Sequence, residues 1–217
     1  MQRAPTPPAA RYHTYARYLR ERYETTVYRI AVDAGFSCPH RGPDRRGPGC
    51  SFCGDEGARA PYLTAAAGRV SSSSPSGAPV PLEEQIRHAA AFLRRRYRAT
   101  RFLLYFQAFS GTNAPPAVLR STYDRGLACL PFQELIVSTR PDCVDREKVA
   151  LLASYRTTER DVWVELGAQS LQEHTLVRIN RGHTVKDFYA AYSILKEYGL
   201  KTAVHLIFGL PGESRTD

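Results

Sequence analysis

Residues 28–57 read YRIAVDAGFSCPHRGPDRRGPGCSFCGDEG, and the rest of the chain is arranged around them. The apolar, β-branched run at 27–32 predicts a buried strand. The loop after it is rich in glycine, proline and arginine, and it carries Cys38, Cys50 and Cys53 in the spacing C-x11-C-x2-C. Three thiols on one loop can hold a metal centre without help from distant sequence, and an odd number leaves one coordination position open.

Three interpretations of this loop are open from the spacing alone. In the first, the three cysteines bind three irons of a [4Fe–4S] cluster and leave the fourth iron free. In the second, His40 joins them in a closed Cys3His zinc site. In the third, they are structural thiols without a metal. The arginines of the loop favour the thiolate form that either metal requires.

Apolar segments alternate regularly with helical segments beyond the loop. Further strands are predicted at 102–109, 134–138, 161–166 and 201–208. Helices are predicted from 81 through 93 into a basic end, and at 115–130, 145–155 and 184–198. Such a βα repeat builds a parallel sheet. The polar stretches GFSC, FQAFSGTN, STRPDC, LGAQS and GLPGE all follow strand ends. Ligands bind at that edge of α/β sheets, so a cysteine loop there belongs to an active site and favours iron–sulfur over structural zinc.

The chain divides into a short extension and one larger domain. Residues 1–25 are expected to form an N-terminal helical extension, because aromatic and basic residues recur at helical spacing from 11 to 24. Residues 26–217 form the α/β core. Within it, residues 63–81 are rich in serine, proline and small side chains, and we expect a flexible insert there.

The charge of the chain points to an acidic partner. The formal net charge is +9 over 217 residues. Arg94, Arg95, Arg96, Arg98 and Arg101 follow one another, with no acidic residue between positions 84 and 124. Arginine binds phosphate groups through bidentate contacts and counterion release, so nucleic acid is the expected partner.

The composition also indicates the cellular compartment. Five cysteines in a chain of this length do not resemble a disulfide framework, and the N-terminus has no apolar signal region. No apolar run reaches the length that spans a bilayer. We therefore expect a cytoplasmic protein that does not enter membranes.

The cysteine loop and the polar stretches after the predicted strands resemble those of radical S-adenosylmethionine (SAM) enzymes. The resemblance is to the YhcC/YtqA-like branch, which is related to the catalytic domain of Elongator-type proteins. The stretches that carry it are DAGFSCPHRGP, GPGCSFC, YFQAFSGTNAP, STRPDCV, VWVELGAQS, INRGHT and HLIFGLPGE. The resemblance implies an α/β fold, a partial (β/α)6 TIM-like barrel with five of its six βα units present. It also implies a C-terminal truncation, because relatives continue past the fifth strand.

The resemblance implies two cofactors and an activity. Cys38, Cys50 and Cys53 would hold the [4Fe–4S] cluster, and SAM would be reductively cleaved there to a 5′-deoxyadenosyl radical. Kinship to Elongator-type proteins implies tRNA, at the wobble uridine, as the substrate, and a reductant such as flavodoxin or ferredoxin. The alternatives are a small-molecule radical SAM oxidoreductase and a non-catalytic Cys3His zinc module that binds nucleic acid. No catalytic side chain is assigned.

The resemblance also implies contacts to SAM on the cysteine loop, in the late strands and in the turn between them. Phe52 lies between two cysteines and would pack by the adenine. Ile207 and Gly209 would line the adenine after the fifth strand. Arg181 would meet the methionyl carboxylate, and His205 is expected to pack or to form a hydrogen bond.

Further implied contacts follow the second, third and fourth strands. Gln107 and the segment 110–112, which contains Ser110 and Gly111, would contact the methionyl amino group. The segment 138–140, which contains Thr139 and Arg140, would face the cofactor or substrate. Glu165 and Gln169 would serve the ribose hydroxyls and the methionyl end.

Overall fold

The computed structural model describes residues 12–54, 57 and 80–214. Its centre is one parallel sheet in which the strands pair in sequence order. The strands are β1 (Val27–Val32), β2 (Arg101–Phe106), β3 (Phe132–Thr139), β4 (Asp161–Gln169) and β5 (Lys201–Leu206). Sequential order with crossover helices is the topology of a βα barrel, so the sheet confirms the α/β class and a partial TIM-like barrel with five units.

Six α-helices accompany the sheet in the described part of the chain. They are α1 (Tyr15–Tyr23), α2 (Leu82–Tyr97), α3 (Pro116–Ala128), α4 (Arg146–Ser154), α5 (Glu173–Arg178) and α6 (Val185–Glu197), and a 3-10 turn spans Pro141–Cys143. Within the described ranges, no helix is both long and apolar enough to cross a lipid bilayer.

The helices begin where the sequence provides capping groups. The Asp145 side chain accepts from the Lys148 backbone N–H at the start of α4. Thr184 and Asp187 form a reciprocal capping box at the start of α6. Such caps satisfy backbone N–H groups that have no partner within the helix. Both predicted helix starts are therefore confirmed.

Several predicted boundaries shift. β2 ends at Phe106 rather than at 109, and Phe109 has a positive φ of 60°, which extended strands do not use. β4 continues to Gln169 and is longer than expected. The short helix α5 was not predicted, because six residues carry too little periodicity to be recognised.

The two faces of the sheet have separate cores. Ile30, Leu104 and Val164 belong to the larger core, which the sheet shares with α2, α3, α4 and α6. Ala31 and Leu103 point to the opposite face, which is the inner face of the barrel. Alternate residues of a strand point to opposite faces, so a nearly continuous apolar run serves both cores.

Helix α1 closes the inner face near the N-terminal edge of the sheet. Leu19 is buried in the inner core. The hydroxyl groups of Tyr15 and Tyr23 both donate to the fully buried carboxylate of Glu134, at 2.7 and 2.9 Å. The Tyr18 ring meets the ring of Trp163 edge-on. The predicted N-terminal helix therefore shares a core with the barrel.

The sheet has a solvent-exposed edge at β5. Val204 and Leu206 are 38% and 47% exposed, and Phe208 just beyond the strand is 91% exposed. The central strands are almost entirely buried by comparison. The insert predicted at 63–81 lies outside the described residues except for its last two positions, 80 and 81.

Candidate active site

The cysteine loop leaves the C-terminal end of β1, at the edge of the sheet that was expected to bind ligands. Arg45 fastens the loop to that end. Its guanidinium donates to both carboxylate oxygens of Asp33, at 2.8 and 2.6 Å, and also to the backbone oxygen of Phe36. The same guanidinium lies 4.0 Å from the centre of the Phe109 ring, which follows β2. The loop is therefore held against two neighbouring strand ends.

Arg41 holds the cysteine loop in shape from within. Arg41 is only 4% exposed. Nη2 donates to the backbone oxygens of Cys53 and Gly54 at 2.8 and 2.9 Å. At Gly47 a methyl group would stand 2.7 Å from the Arg41 Cα atom, so the loop passes too close for a side chain. Arg41 was not among the predicted site residues, although its position between the cysteines was a usable signal.

The segment INRGHT at 179–184 forms the second wall of the site. The Ser51 N–H donates to the Ile179 oxygen at 2.9 Å, and Asn180 Nδ2 donates to the Gly49 oxygen at 2.8 Å. Gly182 has a φ of 75°, and a Cβ atom there would overlap the His40 ring. This turn therefore covers the cysteine loop through backbone contacts that demand a glycine.

Cys50 is the cysteine at which these elements converge. Its residue is 5% exposed, whereas Cys38 and Cys53 are half-buried. Nη1 of Arg181 donates to the Cys50 sulfur at 3.5 Å, and Nη1 of Arg140 does so at 3.8 Å. Two buried guanidinium groups therefore place positive charge at the sulfur that a metal centre would use.

Asp142 fixes the orientation of Arg140. Nε and Nη2 of Arg140 donate to the two carboxylate oxygens of Asp142, each at 2.8 Å. Burial disfavours the charged form of Arg140, but the hydrogen bond and the charge of Asp142 outweigh it and raise the pKa. Arg140 therefore stays charged although its residue is only 3% exposed. Asp142 was not among the predicted site residues.

His183 and a backbone carbonyl fix Arg181. Nε of Arg181 donates to His183 Nε2 at 2.9 Å, and Nη2 donates to the Gly167 oxygen at 2.6 Å. Burial lowers the pKa of His183, and the charge of Arg181 lowers it further, so the imidazole stays neutral and can accept. The Arg181 guanidinium also lies 5.9 Å from the centre of the Phe52 ring.

Buried hydroxyl groups lie behind Arg140. Ser110 Oγ is 2.9 Å from Thr139 Oγ1 and accepts from the Arg140 backbone N–H at 3.3 Å. The Thr112 hydroxyl also contacts Thr139 and donates to the Cys143 oxygen at 2.8 Å. The ends of β2 and β3 are therefore joined by side chains that the resemblance had singled out.

Gly111 and Cys143 complete this region. A Cβ atom on Gly111 would stand 2.6 Å from Val137 Cγ1, so the chain passes close to β3 there. The Cys143 thiol is buried, and burial raises its pKa to about 11. Cys143 is therefore a neutral thiol, unlike the thiolates that a metal centre needs.

Glu165 lies on the inner face of the barrel, where it forms a separate cluster of hydrogen-bonded side chains. Its Oε1 accepts from Arg29 at 2.8 Å, and its Oε2 accepts from the Tyr105 hydroxyl and lies 3.2 Å from His205 Nε2. Burial would raise the pKa of Glu165, but the hydrogen bonds from His205 and Tyr105 and the charge of Arg29 lower it. The hydrogen bond expected of His205 is present. The ribose contact of Glu165 stays a prediction, and both carboxylate oxygens already have protein partners.

The remaining predicted contacts lie at the same edge of the sheet. Gln107 directly follows β2, and Gln169 ends β4 with a positive φ of 71°. The Ile207 N–H donates to the Gln169 oxygen at 2.9 Å, which ties the end of β5 to the end of β4. Gly209 has a φ of 79° in the turn beyond. The predicted residues are thus gathered at one edge, and their contacts to SAM stay predictions.

The donor set of the loop fits an iron–sulfur cluster. Three thiols lie on one ordered loop, and two buried cations face one of them. Among the described residues, no three His, Cys, Asp or Glu side chains converge as ligands of a single ion. A four-iron cluster gives each cysteine its own iron and does not need that convergence. The His40 ring lies against Gly182, so the Cys3His alternative has no assembled site in the described ranges.

Comparison with known proteins agrees with this arrangement. The family model described as Radical SAM superfamily matches residues 37–217. Protein YhcC of Escherichia coli K12 is 38% identical over 200 residues, which are 92% of this chain and 59% of YhcC. A tRNA uridine(34) acetyltransferase of Dehalococcoides mccartyi is 39% identical over 80 residues, which are 37% of this chain and 17% of that protein.

One solved structure supports the fold. The archaeal Elp3 of Methanocaldococcus infernus, with an N-terminal deletion, superposes with a TM-score of 0.55 at 24% identity. The match covers 61% of this chain and 35% of that one. The chain spans 57% to 59% of the length of the first curated relatives that it matches.

Proposed function

The chain belongs to the radical SAM superfamily, and on this premise we propose that Cys38, Cys50 and Cys53 hold a [4Fe–4S] cluster beside a SAM site. When bound, such a cluster would supply the electron for reductive cleavage of SAM, and the resulting 5′-deoxyadenosyl radical would take a hydrogen atom from the substrate. The observation that carries the proposal is the placement of the three-cysteine loop at the C-terminal edge of the barrel, with two buried guanidinium groups at Cys50.

The side chains of the site have separate tasks in this proposal. Arg41 holds the cysteine loop in shape through the carbonyl groups of Cys53 and Gly54. Arg140 and Arg181 keep positive charge at Cys50. Phe52 is 40% exposed at the rim, where a flat ring can cover the adenine and exclude water.

The proposed SAM contacts surround this centre. They are the polar or backbone groups of Gln107, Ser110, Gly111, Thr139, Glu165, Gln169, Ile207 and Gly209. The proposal that these residues contact SAM is supported by their positions: each lies in β4 or in a segment at or just beyond the end of a strand. A low-potential protein donor, such as flavodoxin or ferredoxin, would deliver the electron.

Anaerobic reconstitution with iron and sulfide tests this proposal. We expect four irons per chain, and 5′-deoxyadenosine from SAM after reduction with dithionite. Cys50→Ala should abolish both. Cys129→Ala is the matched control, because Cys129 lies at the end of α3, outside the loop, and should change neither. Stoichiometric zinc without iron would contradict the proposal and favour the zinc module.

For the substrate, we propose tRNA, modified at the wobble uridine. The sequence similarity to a tRNA uridine(34) acetyltransferase supports this over about a third of the chain. The second support is the arginine cluster, which we define as the exposed residues Arg94, Arg95, Arg96, Arg98 and Arg101. Among the described residues, no carboxylate forms an ion pair with any of them.

The arginine cluster lies at the end of the sheet opposite to the cysteine loop. Four of its members end α2 or follow it, and Arg101 begins β2. Phe92 and Tyr97 are 43% and 48% exposed within it, and the Arg96 guanidinium lies 5.1 Å from the Tyr97 ring centre. Strands of six residues put roughly 20 Å between the two edges. A folded RNA can span this distance, with phosphates on the arginine cluster and one nucleotide at the cysteine loop.

Binding of tRNA as a function of salt tests the substrate proposal. We expect affinity to fall steeply with salt, and the slope to decrease when Arg95, Arg96 and Arg98 are changed to Gln. The triple change Arg125→Gln, Arg146→Gln, Arg156→Gln removes the same charge elsewhere and should have a smaller effect. Cleavage of SAM without any binding of tRNA would favour the small-molecule oxidoreductase instead.

A further inference from the structure

We infer that Arg140 and Arg181 form a paired hydrogen-bond donor to the Cys50 sulfur and thereby raise the reduction potential of the cluster bound there. The inference rests on the proposed function, since it concerns the cluster that the three cysteines would hold. The Cys50 sulfur, a free thiol in this structure, stands for the thiolate that would bind one iron. Both arginines therefore act on the metal centre as positioned cations.

The inference begins with an asymmetry among the three cysteines. Cys50 is 5% exposed and accepts two N–H donors from guanidinium groups. Cys53 is half-buried, and the contact described for its sulfur is to the neighbouring Gly54 carbonyl, at 3.6 Å. Cys38 is also half-buried. The charged donors are thus concentrated on the most enclosed sulfur, where water screens them least.

The direction of each guanidinium is fixed by its other contacts. In Arg140, Nε and Nη2 are both used by Asp142, and Nη1 is left for the sulfur. In Arg181, Nε is used by His183 and Nη2 by the Gly167 oxygen, and again Nη1 is left for the sulfur. The two arginines come from different loops, and each presents its Nη1 atom to the same sulfur. Neither guanidinium can rotate without breaking two other hydrogen bonds, so both donors are held in place.

The physical effect follows from charge. Reduction adds one electron to the cluster, and nearby positive charge and N–H donors to sulfur stabilise the more negative form. The charge of Arg140 is partly balanced by Asp142. Arg181 has a neutral imidazole and a carbonyl as its partners, so its charge is not balanced by an anion among them. Arg181 should therefore have the larger effect.

The test is a redox titration of the reconstituted full chain without SAM, followed by the electron paramagnetic resonance signal of the reduced cluster. We expect Arg181→Met to lower the midpoint potential most, and Arg140→Met to lower it less. Asp142→Asn should raise the potential, because it keeps an oxygen acceptor for Arg140 while removing the balancing charge. Arg125→Met removes an exposed guanidinium from α3 and should leave the potential unchanged.

The opposite signs separate charge tuning from structural damage. Looser packing would expose the cluster in all three site variants and shift their potentials in one direction. Equal potentials in the wild type and both Met variants, or a common direction of shift that includes Asp142→Asn, would overturn the inference. If the Met variants lose the cluster, the sign of the Asp142→Asn shift decides. Failure of the wild type to take up iron would instead overturn the proposed function.

Discussion

Arginine side chains dominate both edges of the parallel sheet, and the two edges use them in opposite ways. At the C-terminal edge, Arg41, Arg140 and Arg181 are 3% to 6% exposed, and their donors point to named acceptors. At the N-terminal edge, the arginine cluster is exposed, and the contacts described for it are to aromatic rings and, from Arg101, to the Tyr23 carbonyl group. A buried guanidinium has to satisfy its donors, whereas an exposed one keeps them available for a partner. Burial therefore separates arginines that form a site from arginines that can bind a partner.

The largest difference between the two edges is expected for Arg41. Arg41→Met removes the charged donor of the Cys53 and Gly54 carbonyl groups, and a hydrogen bond to a charged group contributes roughly 1.5–3 kcal/mol. We expect the free energy of unfolding to fall by about 2–4 kcal/mol and cluster uptake to be lost. Denaturant unfolding and iron content measure the two effects. Equal stabilities of Arg41→Met and the exposed-edge control Arg98→Met would contradict the comparison.

A smaller loss is expected where the INRGHT turn meets the cysteine loop. Gly182→Ala adds a methyl group in a left-handed conformation and against the His40 ring. We expect destabilisation of about 1–3 kcal/mol, because the turn must move away from the loop. Gly209→Ala is a useful control, since it also has a positive φ but no atom within 4 Å of the added methyl group. The control should show only the conformational cost, and a similar loss in both variants would refute the contact.

The pH dependence of stability distinguishes the edges further. Burial lowers the pKa of His183 and of His40 in the folded chain, and the unfolded value is about 6.5. The free energy of unfolding that depends on the two neutral histidines is therefore fully present above about pH 6.5. It decreases as the pH falls from there towards the pKa values of the folded chain. Thermal unfolding between pH 7.5 and 5 should show this loss. His183→Asn should flatten the slope, whereas Arg98→Met should leave it unchanged.

The smallest effect on the fold is expected at the exposed edge. Changing Arg95 and Arg98 to Gln should alter the free energy of unfolding by less than about 1 kcal/mol, because exposed charges at a helix end contribute only tenths of a kcal/mol each. The same variant should lower the salt slope of tRNA binding. Chemical denaturation and a binding titration measure both quantities. Large destabilisation would show that these arginines hold the fold rather than a partner.

Much of the fold could be predicted because its signals are local. The order of strands and helices, the Asp145 and Thr184 caps and the position of the cysteine loop follow from periodicity and from short motifs. Predicted strand ends were wrong by up to three residues. At Phe109 and at Gln169 a positive φ set the boundary, and apolar character does not report φ. Helix α5 is too short to leave a pattern.

The family of the protein could be predicted from local motifs, whereas the partners of the site residues could not. Membership of the radical SAM superfamily was expected from the resemblance of the motifs around the cysteines and at the strand ends, and the family match confirms it. The placement of Glu165 within an inner group with Arg29 and Tyr105 could not be predicted, because the partners lie on three different strands. Asp142 and His183 were missed because a residue that orients an arginine has no motif of its own.

The sequence by itself determined the three-cysteine loop, the βα repeat and the arginine cluster, since all of these depend on residues close in the chain. Only the tertiary structure decided what the arginines do. Arg140 and Arg181 reach Cys50 across 90 and 131 residues, and Tyr15 reaches Glu134 across 119. Such contacts form when strand pairing brings distant loops to one edge or one face of the sheet. Burial then fixes the direction of the Arg140 and Arg181 guanidinium groups, because a buried donor without a partner costs free energy.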